Sequence, residues 1–593
     1  MNLSPSHSHT EPAALEVSRY ELARARQLAR SWADTLPEPR RRDLAALFTR
    51  VAIDVYRSEA RPHAQLSPPF AQPYGTLDTA VADLAQAIGR EAAPLPLSEA
   101  AYFLTGLYTA LLASRERSAL GAFYTPPALA NRLLNLAEEQ GVDWRTARVL
   151  DPASGGGAFL LPAAERMTAA LSTAEPAFVL SQIGTRLQGF ELDPYAAGFG
   201  QNAVELLLAD VTRAAGRAAP TIVRVVDTLE EPPRARFDLV VGNPPYGRVP
   251  LTPEQRRRFA RSLYGHANLY GVFTDIAVRW TKRGGTIAYL TPTSVLSGHY
   301  YSALRGMMAE EAPPTAIDFV QARRGVFEDV LQETLLATYR KGAKAARAQV
   351  HYVQVTNERE AHVIHNGTIG LPSPASQPWL APREPRHSAL IAAAETMPAR
   401  LTDWGYSVST GPLVWNRFKD QMRQRPGRCV HPLIWAESVT SAGQFAYRAE
   451  RRGHAPYFKM EPDDGWLLVE EACVLVQRTT AKEQARRLIA AELPAEFIEE
   501  HGGVVVENHL NMVRPSARPA VTPAAVAAVL NSQVVDQLFR CINGSVAVSA
   551  FEMEALPLPS PAAMRKVERL VGRGACRTEI EAELARLYGQ PAP

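Results

Sequence analysis

The run Phe237-Asp238-Leu239-Val240-Val241-Gly242-Asn243-Pro244-Pro245-Tyr246-Gly247 joins an apolar stretch to an amide, two prolines and an aromatic ring. That order suits chemistry on a conjugated amino group. Such a nitrogen is a poor nucleophile because its lone pair is delocalised into the neighbouring ring. Two acceptors on its two hydrogens favour a pyramidal nitrogen and disperse the positive charge that grows as it is alkylated. This is stabilisation of a transition state by preorganised groups. The Asn243 side-chain oxygen and the Pro244 carbonyl supply two acceptors, and Pro244 and Pro245 limit how far the loop must reorganise. Tyr246 offers a face for stacking on a base taken out of a duplex. Seen alone, the tetrapeptide also reads as a Pro-rich turn after a buried strand.

Three upstream carboxylates give it a context. Asp151-Pro152-Ala153-Ser154-Gly155-Gly156-Gly157-Ala158-Phe159-Leu160 follows one apolar run and opens a helix. Gly155 and Gly157 allow close backbone approach and positive φ. The loop is not G-x-G-x-x-G, so a dinucleotide site is not its natural reading. Glu191 ends the next run, where a carboxylate takes ribose hydroxyls. Asp227 ends the third, placed to accept from an adenine amino group. Further upstream, Tyr124-Thr125-Pro126-Pro127 also reads as a helix start, with a Thr cap and Pro in the first turn.

Taken together, these stretches resemble the amino-methylating DNA methyltransferases of the gamma arrangement, typified by TaqI-type enzymes. There cofactor motifs precede the catalytic tetrapeptide, and a target-recognition domain follows. The resemblance implies a Rossmann-like class I α/β fold with a seven-stranded, mostly parallel sheet, and S-adenosyl-L-methionine as methyl donor. It implies that Gly121–Pro127, with Tyr124, Thr125 and Pro126, contacts the methionine end of the cofactor. Thr125, Asp151 and Ala153 would hold that end on the loop containing Gly155 and Gly157. Glu191 would take the ribose, and Asp227 with Thr228 the adenine. Asn243, Pro244, Pro245 and Tyr246 would be catalytic, with Phe327 packing on a flipped adenine opposite Tyr246. The stretches 267–273 and 284–297 resemble elements that follow the tetrapeptide.

The implied activity is site-specific methylation of adenine N6 in double-stranded DNA, as the modification half of a restriction-modification or phage-defence system. No metal is expected. Expected partners are DNA and, as further candidates, a cognate restriction endonuclease or defence-system subunits. Asn243 favours adenine, since cytosine-N4 enzymes more typically carry Ser there. No Pro-Cys dipeptide exists, which excludes cytosine-C5 chemistry. RNA adenine methylation, protein glutamine-N5 methylation, a methyltransferase subunit of a multi-chain restriction enzyme and an inactive scaffold are the alternatives. The glutamine enzymes also carry NPPY, but are usually about half this length and lack the upstream element and a recognition domain. No Asp/Glu-x-Lys tripeptide occurs, so a fused nuclease of the common metal-dependent kind is not expected.

The elements that must position these residues are legible in outline. ARVLDPA, LQGFELD, TIVRVVD, FDLVVGN, GGTIAYLTP, TAIDFV and ETLLATYR are compact apolar runs bounded by turn residues, the pattern of strands. Alternating with helical stretches, they predict a mostly parallel sheet covered on both faces, with ligands beyond the strands' carboxyl ends. Residues 1–115 carry helical spacing and no chemical motif. We divide the chain into this helical domain, a catalytic domain over 116–365, a Pro-rich linker over 366–399 and a mixed α/β target-recognition domain over 400–593. Stretches at 406–413, 504–513, 526–533 and 549–561 loosely resemble such domains. Trp415–Arg428 gathers Arg417, Lys419, Arg423, Arg425 and Arg428 around Trp415 and Phe418, a composition suited to phosphates and guanine.

The 593 residues exceed one ordinary core. With 46% hydrophobic and 21% charged residues the composition is that of a globular protein. The net charge of +3 leaves room for a local basic groove but not for a polycation. The four cysteines form no C-x-x-C pair, and neither a membrane-length apolar run nor a secretory start is visible. A prokaryotic cytoplasmic location is the expectation.

Overall fold

A computed structural model describes residues 11–120, 125–232, 237–322, 333–344, 346–357, 359–451, 453–480, 484–543 and 547–591. Each of the seven apolar runs forms a strand: β1 (Val149–Asp151), β2 (Leu187–Glu191), β3 (Val223–Val225), β4 (Phe237–Gly242), β5 (Thr281–Pro292), β6 (Pro314–Ala322) and β7 (Thr334–Arg340). Two more, β8 (Ala348–Val355) and β9 (Ala361–Ile369), extend the sheet to nine strands instead of the expected seven. Their physical basis is a half-exposed edge. Ala348, Val350, Val353 and Val355 are buried, while His and Gln fill positions between them, and β9 is mostly exposed. Such strands lack the continuous apolar run of a strand buried on both faces.

The order is β3-β2-β1-β4-β5-β7-β6-β8-β9. β7 runs antiparallel between β5 and β6, β9 runs antiparallel to β8, and the remaining neighbours are parallel. The chain winds outward from β1 to β3 and then returns to β4 beside β1. The crevice beyond the carboxyl ends of β1 and β4 is therefore a topological switch point, where such sheets bind ligands. Strand β4 shows why the sheet is central: Leu239 and Val241 pack into the core on one face, Val240 into that on the other.

Among the described residues, fourteen α-helices precede residue 400: α1 (Glu11–Asp34), α2 (Glu38–Ala60), α3 (Thr79–Ala92), α4 (Leu97–Leu111), α5 (Ser114–Leu120), α6 (Pro127–Glu139), α7 (Leu160–Ala170), α8 (Pro176–Arg186), α9 (Pro194–Leu207), α10 (Ala209–Ala215), α11 (Pro253–Arg258), α12 (Leu269–Trp280), α13 (Ser302–Glu311) and α14 (His387–Glu395). Helices α1–α4 share an apolar core that also takes in Ala196, Phe199 and Leu206 of α9. Helix α9 is consequently buried almost all round, as a helix sandwiched between two layers must be. None of the described helices is long and apolar enough to cross a membrane.

Within residues 366–399, Asn366–Ile369 complete β9, Trp379 packs into the sheet's core, and Leu390 and Ala394 of α14 join the C-terminal core. Beyond, a four-stranded sheet packs one face on helices that include Pro523–Leu530, Gln533–Ile542, Pro561–Gly572 and Arg577–Leu587, and its other face on a five-stranded sheet.

Candidate active site

The loop after β1 turns on glycines. Gly155 and Gly157 have φ of +50° and +87°, the left-handed region that disfavours side chains. Behind the loop stands Gly200 of α9. A Cβ on Gly157 would lie 3.0 Å from the Gly200 Cα, and one on Gly200 would lie 3.0 Å from the Gly155 carbonyl oxygen. Helix α9 thus presses the loop toward the cleft at a glycine-to-glycine contact. Ser154 N–H donates to the Phe190 carbonyl at 2.9 Å, tying the loop to β2.

The three strand-end acids converge on one cleft of about 270 Å³. Thr125, Asp151, Ala153, Gly155, Glu191, Asp227, Thr228, Asn243 and Pro245 all line it. Asp151 is 1% exposed; its Oδ1 accepts from the Ala153 N–H at 3.1 Å and its Oδ2 has no hydrogen-bond partner among the described residues. Burial pushes its carboxyl up to about 8; the nearby Glu191 carboxylate adds to the rise and the Ala153 N–H opposes it. Glu191 accepts from the Gly155 N–H at 2.8 Å and the Asp193 N–H at 2.9 Å. Its carboxyl is also raised, chiefly by burial. The Asp227 carboxylate accepts from the Leu229 N–H at 2.9 Å, and the buried Thr228 hydroxyl donates to the Pro152 carbonyl at 2.6 Å. The first and third acidic strand ends are thereby linked through one side chain.

Asn243 stands where β4 ends. Its Nδ2 donates to Thr125 Oγ1 at 3.2 Å, and its Oδ1 accepts from Tyr246 Oη at 2.7 Å. These partners fix which way the carboxamide points. They also join the upstream Thr-Pro element to the tetrapeptide. Gly242 is required just before, because a Cβ there would lie 2.9 Å from Asp151 Oδ1. The Tyr246 ring meets Tyr270 edge-on at 6.1 Å, and its hydroxyl also reaches the Leu290 carbonyl at 3.3 Å. Burial raises the Tyr246 phenol well above its usual range, so it remains a donor.

Not every expected residue faces the cleft. Pro244 is buried, Tyr246 lies behind Asn243, and Gly157 lines a small neighbouring pocket with Thr125 and Asn131. Pro126 precedes the first turn of α6. Tyr124 and Phe327 lie outside the described residues. Conversely, the cleft is also lined by Leu192, Leu229, Val249, Leu269 and Phe273, and by Tyr108 and Thr109 from α4. Leu269 and Phe273 fall in a stretch that the sequence marks. Tyr108 and Thr109 carry no local signal, because only the docking of the helical domain brings them there.

With this geometry in hand, comparison with known proteins is informative. Residues 226–327 match the family described as Eco57I restriction-modification methylase. Over 457 residues the chain is 23% identical to the type II methyltransferase M.BsuBI of Bacillus subtilis, an overlap of 75% of this chain and 89% of that one. It is 24% identical over 347 residues to the type II methyltransferase M.PstI of Providencia stuartii, covering 57% and 68% of the two chains. Among solved structures, the type IIL restriction-modification enzyme MmeI in complex with DNA aligns over 98% of this chain and 93% of that chain. The TM-score is 0.51 at 12% identity, a likeness of fold. Residues 226–327 are thus similar to the Eco57I restriction-modification methylase family, on a Rossmann-like fold, and the chain is similar to the type II methyltransferases.

Proposed function

We propose that the chain is a site-specific DNA methyltransferase that transfers a methyl group from S-adenosyl-L-methionine to the N6 amino group of an adenine turned out of double-stranded DNA. The observation that carries this reading is the placement of Asn243 Oδ1, oriented by Tyr246 and Thr125, at the cleft that Asp151, Glu191 and Asp227 line.

The residues fit the cofactor. The orphaned Asp151 Oδ2 suits a cationic ammonium, as on a methionine moiety, with Thr125 and Ala153 beside it. Gly155 takes a positive φ, and Gly157 leaves room where a Cβ would crowd Gly200 of α9. Glu191, preset by two backbone N–H groups, suits a ribose diol, and Asp227 with Thr228 an adenine edge. When bound, S-adenosyl-L-methionine supplies an electrophilic methyl group.

The rest is the work of this chain. Asn243 Oδ1 is an amide acceptor with two lone pairs, and together with the Pro244 carbonyl it is proposed to accept the two hydrogens of the target amine. Those acceptors hold the nitrogen against the cleft and stabilise the charge it acquires on alkylation. The kinship with type II methyltransferases supports a role as the modification half of a restriction-modification system, and a prokaryotic cytoplasmic location is proposed with it.

Methylome sequencing of a host that expresses the protein tests this directly. N6-methyladenine is expected in one sequence context and is expected to vanish with Asn243→Ala. Absence of the mark with the wild-type protein, or its persistence in the variant, would refute the assignment.

A further inference from the structure

The helical domain does more than cover the sheet. Asp193, two residues after Glu191, is 2% exposed and holds a buried carboxylate between the catalytic and helical domains. Its Oδ1 accepts from the Tyr195 N–H at 2.9 Å, capping α9. Its Oδ2 accepts from Tyr108 Oη of α4 at 2.6 Å, and Arg42 of α2 pairs with it at 3.1 Å. Arg42 Nε also donates to Tyr108 Oη at 3.3 Å, closing the triangle. The same Asp193 donates its own N–H to Glu191 Oε1. Tyr108 itself lines the cleft.

A buried carboxylate is tolerated only when its partners satisfy it, and losing one leaves it undercompensated. Asp193 depends on two partners from a domain remote in sequence. Through its backbone it in turn fixes the carboxylate that faces the cleft. We infer that Arg42 and Tyr108 are positioning residues for the cofactor site, acting through Asp193 on Glu191, so that docking of the helical domain sets cofactor affinity. The inference rests on the reading of Glu191 as a cofactor ligand given above.

Calorimetric titration of the full chain with S-adenosyl-L-methionine tests it on Tyr108→Phe, Arg42→Ala, Arg42→Lys and Glu191→Ala. Tyr108→Phe removes one oxygen and keeps the ring, so its Kd is expected to rise about tenfold, the loss of one hydrogen bond to a charged group. Arg42→Ala is expected to weaken binding at least as much, with Arg42→Lys recovering part of it. KM for the cofactor rises in step, while kcat at saturating cofactor stays within about twofold of wild type, because a residue acting on binding alone leaves the later steps intact. Thermal unfolding separates this from loosening of the fold: Tyr108→Phe is expected to keep its Tm within a few degrees. Unchanged affinity in both Tyr108→Phe and Arg42→Ala, with Glu191→Ala losing binding, overturns the positioning role alone. Unchanged affinity in Glu191→Ala overturns the cofactor reading of Glu191 and the positioning role with it.

Discussion

Asp151 couples the cofactor site to pH. Its carboxyl sits at about 8 in the folded chain, through burial first, against about 3.9 for an unperturbed Asp. Between those values the folded state holds a proton that the unfolded state has lost. The stability attached to this group is therefore fully present in acid, declines as pH rises through the window, and levels off above about pH 8. If the proposed cationic ammonium lies beside Oδ2 it demands the ionised form, and cofactor binding near neutrality then expels the proton. Calorimetry at pH 7 in two buffers of different ionisation enthalpy is expected to show release of up to one proton per cofactor bound, by linkage. Asp151→Asn is expected to abolish the release and weaken binding. Identical heats in the two buffers would mean that Asp151 is not the group that meets the ammonium.

At the level of elements, the contact between the cofactor loop and α9 is set by the absence of side chains. Gly200 lies mid-helix, where alanine costs nothing in backbone conformation and gains helix propensity. Its Cβ would nevertheless meet the Gly155 oxygen at 3.0 Å and the Gly157 nitrogen at 3.1 Å, both backbone atoms that yield only if the loop moves. Overpacking of this kind costs about 1–3 kcal/mol. Gly200→Ala is thus expected to weaken S-adenosyl-L-methionine binding several-fold or more while circular dichroism stays native; an unchanged Kd would show that the loop has slack. Local sequence patterns do not reveal such a contact. Strands β1–β7 announce themselves as apolar runs, and Asp151, Glu191, Asp227 and Asn243 stand at or just past their ends, so both the sheet and the candidate cleft are legible locally. Gly200, Asp193 and Tyr108 act through contacts across the fold, which no local pattern encodes. Strands β8 and β9 escape because half-exposed edges dilute their alternation with His, Gln and Asn. Tyr246 is legible as an aromatic at the site, but not as the hydroxyl that orients Asn243.

At the scale of the whole molecule, the candidate site is one cleft, while charge is distributed beyond it. The segment 415–428 packs Trp415, Phe418 and Met422 inward on the core built around Trp435 and Phe458. Burying those rings turns its charges outward: Arg417, Lys419, Arg425 and Arg428 are exposed. Arg417, Arg425 and Arg428 form no ion pair among the described residues. Arg423 differs, since its Nη1 donates to the Asp420 and Met422 carbonyls at 2.7 and 2.8 Å and so shapes the segment. With a net charge of only +3, such local clusters must supply what attracts a polyanion. If these three arginines meet DNA phosphates, replacing them together with alanine removes counterion release and nothing from the cofactor cleft. Duplex affinity is then expected to fall and the slope of log K against log salt to flatten by about 0.9 for each phosphate no longer neutralised. The cofactor Kd is expected to stay at its wild-type value. A fall in affinity with an unchanged salt slope would instead assign the segment to non-ionic contacts, and no fall at all would place the DNA on another face of the C-terminal domain.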